Sequence, residues 1–316
     1  MIDWLKKLAA LAAVTLLTAC GGGDDRPAPG TIAQEASRAG LTALVAAADK
    51  AGLVPALSDA SATLTVLAPT DAAFGQLATS LGFADASAMV AALDGPTLAK
   101  ILQYHVLPAR RTAAELAAGG ATQATLYSFE GAPASVKVGT TGGVNFTDEV
   151  LTSAAVVTAD VPASNGVVHV IDKVLVPPGV LNVVQMAQLN PSFSTLVGAV
   201  VDAGLVSTLS DASADFTVFA PVNAAFEAIA STVAALTPTQ LGQVLTYHVL
   251  DTQVRAADIP FGTPVTTVLG QSITINAGTP PTITDTTATP AGIVATDVRA
   301  SNGVIHVIDK VLLPAL

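Results

Sequence analysis

Asn165-Gly166-Val167-Val168-His169-Val170-Ile171-Asp172-Lys173-Val174-Leu175 returns almost letter for letter as Asn302-Gly303-Val304-Ile305-His306-Val307-Ile308-Asp309-Lys310-Val311-Leu312, 137 positions later. Each copy opens on an Ala-Ser-Asn-Gly turn signal, Ala163 to Gly166 and Ala300 to Gly303, and then runs into β-branched residues. A short apolar run of that kind reads as a strand buried on both faces. The His, Asp and Lys within it need partners, because a buried polar group left unpaired costs about 1–3 kcal/mol. The stretch is therefore expected to be the keystone strand of a domain, and the chain to be one module written twice.

On either side of this stretch the repeat holds through most of the chain. Leu57 to Ala62 and Leu209 to Ala214 are identical at an offset of 152, which drops to 143 at Tyr104-His105 and Tyr247-His248 before reaching 137 at the keystone. The first copy thus carries about nine extra residues between Phe74 and Asp94 and about six more between Arg111 and Gly143. A period this long is a domain duplication, since solenoid repeats run to roughly 20–50 residues. A length of 316 residues fits two domains of roughly 150. With 51% hydrophobic but 4% aromatic residues, both cores must be filled by aliphatic side chains. A net charge of −11 without basic clusters argues against nucleic acid and against electrostatic docking on anionic lipid.

The first thirty residues belong to neither module. Lys6 and Lys7 precede an apolar run from Leu8 to Leu17, too short to span a bilayer and of the size of a signal-peptide core. Leu17-Thr18-Ala19-Cys20 then resembles the lipobox of bacterial lipoproteins, which implies that Cys20 becomes the acylated N-terminus and anchors the protein in the membrane. Gly21 stands where an aspartate would retain such a lipoprotein in the inner membrane, so the resemblance implies the outer one. Cys20 is the sole cysteine, which excludes an intramolecular disulfide. The expected organisation is a leader over 1–19, a flexible tether over 20–30, and modules over 31–178 and 180–316, with a hinge or a rigid joint at Pro177-Pro178-Gly179.

Within a module the order is helices, then strands. Apolar spacing predicts helices over Ile32 to Lys50 and Val183 to Ala203, ended by Gly52 and Gly204. Leu64 to Pro69 and Phe216 to Pro221 read as strands stopped by proline. Asp71 and Asn223 are placed to cap the short helices that follow, and Asp94 and Thr237 the next ones. Antiparallel strands then lead to the keystone, giving an α+β class and not a doubly wound sheet.

Thr65 to Phe74, then Tyr104-His105, then Asn165 to Lys173, resemble the three ordered motifs of the fasciclin domain family, and Thr217 to Phe226, Tyr247-His248 and Asn302 to Lys310 supply them again. The resemblance implies two tandem fasciclin-like domains, each a β-rich wedge flanked by helices, exported or surface-displayed, and linked to adhesion through protein or matrix partners. Val222 departs from the family pattern, which the first copy keeps as Thr70, and this puts the role of that hydroxyl in doubt in the second copy.

Each copy holds two histidines, His105 with His169 and His248 with His306. They are either core residues bonded to backbone and hydroxyl groups, or a metal or catalytic pair helped by Asp172 and Asp309, or a partner contact. Their spacing matches no zinc-protease helix, zinc cluster or serine elbow, and no phosphate loop follows a strand. No cofactor is expected. Tyr104 and Tyr247 are either packed or adhesive, the second being what the family resemblance implies. Asn165 and Asn302 open the keystones. Asp172 and Lys173, like Asp309 and Lys310, point to opposite faces of an extended strand, with the Asp expected to need the buried partner and the Lys to reach solvent. The Thr-rich run Thr279 to Thr289 is a solvated hairpin tip or a binding loop, and no Arg-Gly-Asp tripeptide occurs.

Three functions compete on this reading. The adopted one is a non-enzymatic, lipid-anchored adhesion or matrix-binding protein of the envelope, with a protein or polysaccharide partner. The others are a carrier or sensor of a small apolar ligand, and an envelope hydrolase. An apolar pocket of several hundred cubic ångströms between helices and wedge would favour the carrier, and a His pair meeting a carboxylate in an open cleft would favour the hydrolase.

Overall fold

A computed structural model describes residues 28–316. The expected leader, Cys20 and most of the expected tether lie outside the described residues. In the first half, helices α1 (Ile32–Arg38), α2 (Thr42–Lys50) and α3 (Val54–Leu57) precede β1 (Leu64–Pro69). Helices α4 (Asp71–Ser80), α5 (Ala86–Ala92) and α6 (Gly95–Tyr104) come next, then β2 (Val106–Leu107) and α7 (Ala113–Ala118). Strands β3 (Thr122–Phe129), β4 (Ala132–Gly139), β5 (Asn145–Thr147), β6 (Ser153–Ala163) and β7 (Gly166–Ile171) complete it. The second half repeats the plan with α8 (Val183–Leu189), α9 (Ser194–Asp202), α10 (Val206–Leu209), β8 (Phe216–Pro221), α11 (Asn223–Glu227), α12 (Ala230–Ala235), α13 (Pro238–Tyr247) and β9 (Val249–Leu250). Its closing strands are β10 (Pro264–Thr266), β11 (Ser272–Asn276), β12 (Thr282–Thr284), β13 (Ala291–Ala300) and β14 (Gly303–Ile308).

Each half holds one seven-stranded sheet, in the order β2-β1-β7-β6-β5-β4-β3 and β10-β11-β12-β13-β14-β8-β9. The keystone strands β7 and β14 lie inside these sheets, parallel to β1 and β8 and antiparallel to β6 and β13. Every residue of β7 and β14 is buried. Strand alternation sends their side chains into two different cores. Val66, Ala68, Val168 and Val170 pack under the helices, whereas Leu67 and Ile171 meet Tyr104, Tyr127, Val136 and Phe146 inside the curled β3–β6 region. The second half divides in the same way, with Val218, Ala220, Ile305 and Val307 on one side and Phe219 and Ile308 on the other. Each aliphatic side chain withdrawn from water contributes about 1.5–3 kcal/mol, so a strand buried on both faces anchors two layers at once. The fold class is α+β; in the first half α1 to α6 cover one face of the sheet, while Tyr104 at the end of α6 and Leu116 of α7 enter the core on the other side.

Three local expectations are corrected. The helix read over Ile32 to Lys50 is two helices, broken at Ala39-Gly40-Leu41, which lets α1 lie on β6 and β7 while α2 turns onto α4, α5 and α6. The helix read over Val183 to Ala203 breaks at Asn190, whose side chain caps a 3-10 turn that starts at Pro191. Asp71 and Asn223 do not cap the helices they begin. Thr70 caps α4 through its hydroxyl, which accepts from the Ala73 N–H at 3.1 Å, while Val222 offers no cap and α11 is half as long. The Asp71 carboxylate instead reaches back to the Thr42 hydroxyl and the Ala43 N–H, and Asn223 likewise takes the Thr195 N–H, so each ties two helices together.

The two halves pack against each other in part through the segment in which their lengths differ. Ten residues, 125–134, separate the paired Ala124 and Ser135 in the β3–β4 hairpin, against five, 267–271, between Thr266 and Ser272. Most of the later insertion is thus a longer hairpin, and its tip reaches the second half. The Tyr127 hydroxyl donates to Pro178 O at 3.0 Å. The Phe129 ring lies where a side chain on Gly179 would stand and carries the Arg299 guanidinium 5.3 Å from its centroid. Glu130 pairs with Arg255, and Glu149 accepts from the Arg299 backbone at 2.8 Å and from its side chain at 2.9 and 3.0 Å. Val150 enters the apolar core of the second half, where its carbonyl accepts from Asn190 at 2.9 Å.

Candidate functional site

The repeated polar residues are assembled by the keystone and by the helix that ends in Tyr-His. Asn165 sits at the turn into β7, 2% exposed. Its carbonyl oxygen accepts from Ile32 N–H at 2.9 Å, and its amide donates to Leu57 O and Asp59 O, both at 3.0 Å. One side chain thereby joins the start of α1, the end of α3 and the keystone, a task that needs two donors and an acceptor on one short stem. Asn302 repeats it with Val183, Leu209 and Asp211 at 2.9–3.0 Å. Next to it, a side chain on Gly166 or Gly303 would collide with the backbone carbonyl of Leu64 or Phe216, so only glycine lets the keystone approach β1 and β8 this closely.

His105 ends α6 with its ring buried. Nδ1 lies 2.7 Å from Ile101 O and Nε2 accepts from Leu175 N–H at 2.8 Å, which fixes the neutral tautomer protonated at Nδ1. His248 makes the same pair of bonds to Val244 O and Leu312 N–H, at 2.7 and 2.8 Å. Burial drives both imidazoles down to about pKa 4, although the carbonyl each one faces opposes the shift. On the keystone, His169 Nε2 lies 2.9 Å from Arg111 O while Nδ1 accepts from Asp160 N–H at 3.2 Å. His306 bonds Val254 O at 2.8 Å and Asp297 N–H at 3.4 Å, stacks on Phe219, and is lowered in pKa by burial. The Tyr104 and Tyr247 hydroxyls donate to Ser135 O and Ser272 O at 3.1 and 3.0 Å, with their rings buried and their pKa values raised by that burial.

The aspartates of the keystone fall on the other side from the one expected. Asp172 and Asp309 are exposed, and each accepts one backbone N–H, from Ala155 at 2.7 Å and from Gly292 at 2.6 Å. Lys173 and Lys310 are the ones with buried partners, Asp148 and Asp285, whose side chains are fully enclosed. The reason is register: strand alternation turns Lys173 towards the β5–β6 region, where the loop after β5 delivers a carboxylate beneath it. Asp285 also accepts from Thr287 and from Leu313 N–H; burial works against its ionisation, and Lys310 with these donors outweighs it and holds the carboxyl below its usual range. At Asp148, beside residues covered by the second half, burial prevails and pushes the carboxyl up against the pull of Lys173, Val176 and Thr152. These two acids were missed in the sequence. They stand 137 residues apart, the same offset as the two lysines, and that shared offset was the available signal.

Chemically, this constellation is saturated. Each imidazole faces backbone groups, and among the described residues none hydrogen-bonds a carboxylate or another imidazole. Among the described residues there is no group of three or more His, Cys, Asp or Glu able to hold a metal ion. The Thr279 to Thr289 run contains β12 and supplies Asp285 and Thr287 to the Lys310 pair, so part of it is structural. Between the helices and the sheet lies an apolar cavity in each half, about 100 Å³ in the first and about 40 Å³ in the second. A wider polar cleft of about 470 Å³ lies between the halves, lined by Lys137, Glu149, Arg255, Asp297 and Arg299 among others.

The profile of the Fasciclin domain family matches residues 39–177 and 191–314. Protein sll1483 of Synechocystis is 41% identical over 143 residues, 43% of this chain and 75% of that protein. Cell surface glycolipoprotein MPB83 of Mycobacterium bovis is 35% identical over 136 residues, 40% of this chain and 58% of that protein. Transforming growth factor-beta-induced protein ig-h3 of Sus scrofa is 37% identical over 164 residues, 51% of this chain and 23% of that protein. A solved structure of a FAS1 domain pair from the insect cell adhesion molecule fasciclin I covers 89% of this chain at a TM-score of 0.44 and 20% identity.

Proposed function

Because the chain belongs to the fasciclin domain family, with one domain in each half, we propose that it is a non-enzymatic binding protein of the cell envelope, anchored through an acylated Cys20 and holding a protein or polysaccharide of the envelope, the matrix or another cell. The observation that carries this reading is the inward use of the polar motif residues. In both domains Tyr104 and Tyr247, His105 and His248, His169 and His306, and Asn165 and Asn302 hydrogen-bond to the protein's own backbone. What remains for recognition is the outer surface, and that surface is duplicated. Val157 and Val294, 54% and 56% exposed, occupy the same place on β6 and β13, where the register against the keystone slips and a bulge turns the side chain outward. Two like contact points on one body raise apparent affinity for a repetitive partner through effective concentration.

The name of MPB83, a cell surface glycolipoprotein, supports placing an anchored protein at the cell surface. No helix among the described residues is long and apolar enough to cross a membrane, which leaves the anchoring to Cys20 on this reading. The test has two arms. Cys20→Ala is expected to move the protein from the membrane to the soluble fraction, and a variant that still sediments with membranes contradicts the anchor. Residues 31–316 are expected to bind immobilised envelope polysaccharide, matrix protein or whole cells saturably, with at least tenfold weaker binding for the double variant Val157→Asp, Val294→Asp. Absence of binding to all three supports contradicts the adhesive reading.

A further inference from the structure

The two domains differ in one respect that the shared fold does not require. The cavity under α1, α2 and α3 of the first domain has about 100 Å³, and its counterpart in the second about 40 Å³. Most lining positions are the same residue in both: Ala36 and Ala187, Leu44 and Leu196, Leu57 and Leu209, Val66 and Val218, Leu102 and Leu245, His105 and His248. Where they differ, the first domain is mainly the smaller. Ala33 stands opposite Val184, Ala48 opposite Val200, and Val168 opposite Ile305, with Ile32 against Val183 the one reversal. The extra methyl groups of the second domain occupy the space that the first leaves open.

That space suits one class of occupant. Among the described residues its only polar side chains are Ser37 at the mouth, whose hydroxyl donates to Ala33 O at 3.0 Å, and His105, whose two ring nitrogens are already bonded to Ile101 and Leu175. A water needs two to four polar partners, so the interior is dry. Ser37 is exposed, and Ala33, Val45, Val54 and Leu57 around it are partly exposed, which opens the cavity towards solvent between α1, α2 and α3. An engineered apolar cavity of about 150 Å³ takes benzene or xenon, and the space here is somewhat smaller. We infer that the first domain, and not the second, binds a small uncharged apolar molecule, a hydrocarbon of a few carbons or a short alkyl end, in the cavity between α1–α3 and the keystone strand. The site is independent of the adhesive surface proposed above.

The experiment uses residues 31–316 with methyl-labelled Leu and Val and benzene or xenon as the probe. Saturable shifts are expected for Leu44, Val66 and Val168, with none for Leu196 and Val218. The double variant Ala48→Val, Val168→Ile, which installs the second domain's own residues, is expected to remove the shifts of Leu44 and Val66 and to melt no lower than the parent without ligand. If that variant fails to fold, the reverse pair Val200→Ala, Ile305→Val is expected to give the second domain saturable shifts of its own. Absence of saturable shifts in the first domain, shifts that survive the filled variant, or an opened second domain that stays silent would each overturn the assignment.

Discussion

At the scale of single residues, the polar groups of the repeated motifs are fasteners. Asn165 uses all three hydrogen-bonding positions that matter at its turn, and His105 joins the last turn of α6 to the backbone just past the keystone. A neutral imidazole is needed there, since Nε2 must accept from Leu175 N–H. This sets a pH dependence with a definite sign. His105 and His248 are held down to about pKa 4, whereas an unfolded chain protonates them near 6.5. As pH falls from about 6.5 towards 4, the unfolded state takes up protons that the folded state refuses, so stability declines through that window, and these groups add no further loss below it. The loss is on the order of 3 kcal/mol per buried histidine. Denaturant unfolding of each domain at pH 7 and pH 4.5 checks it, and equal midpoints at the two values would contradict it. The sequence made these histidines legible as buried polar groups that need partners. It did not reveal Asp148, because a lone Asp in a Thr-Asp-Glu loop carries no local sign of the lysine it meets 25 residues later.

At the scale of elements, the helix–strand order, the two strands ended by proline and the caps at Asp94 and Thr237 were readable, because each rests on local chemistry: turn residues, apolar period and a side chain within reach of its own backbone. What failed was tertiary. The break at Ala39-Gly40-Leu41 is demanded by two different packing partners for α1 and α2, which no window of apolar spacing contains. The hairpin is intermediate: the change in offset located it, but its use appears only in the packed domains. Phe129, Glu130, Tyr127 and Glu149 all reach the linker or the second domain. The Glu130–Arg255 pair is exposed, and a pair of that kind contributes about 0–1 kcal/mol, so the apolar contact of Phe129 with Gly179 and Arg299 is expected to matter more than Glu130. Phe129→Ala is expected to let the domains reorient, seen as a larger radius of gyration and separate tumbling by NMR relaxation, while Glu130→Ala leaves both close to wild type. An unchanged Phe129→Ala protein would remove the hairpin from this role.

At the scale of the whole molecule, a duplicated chain has kept its framework and varied its surroundings. The keystone, the Tyr-His helix end and the Asn-Gly turn are matched bond for bond, while the hairpin, the cap at Val222 and the helix-side cavity differ. The duplication was the most legible feature of all, because it needs no structural inference. The contact between domains was the least, since it depends on side chains that have no counterpart in the other copy. On this reading the motif histidines serve to build the domain. Thermal unfolding of His105→Ala and His248→Ala is the decisive measurement. Each leaves a backbone N–H unpaired and opens space beside the core, a loss of about 2–4 kcal/mol that corresponds to a fall of roughly 5–15 °C in the melting temperature of the affected domain. Melting temperatures that stay at the wild-type value in both variants, with partner binding lost, would contradict the account.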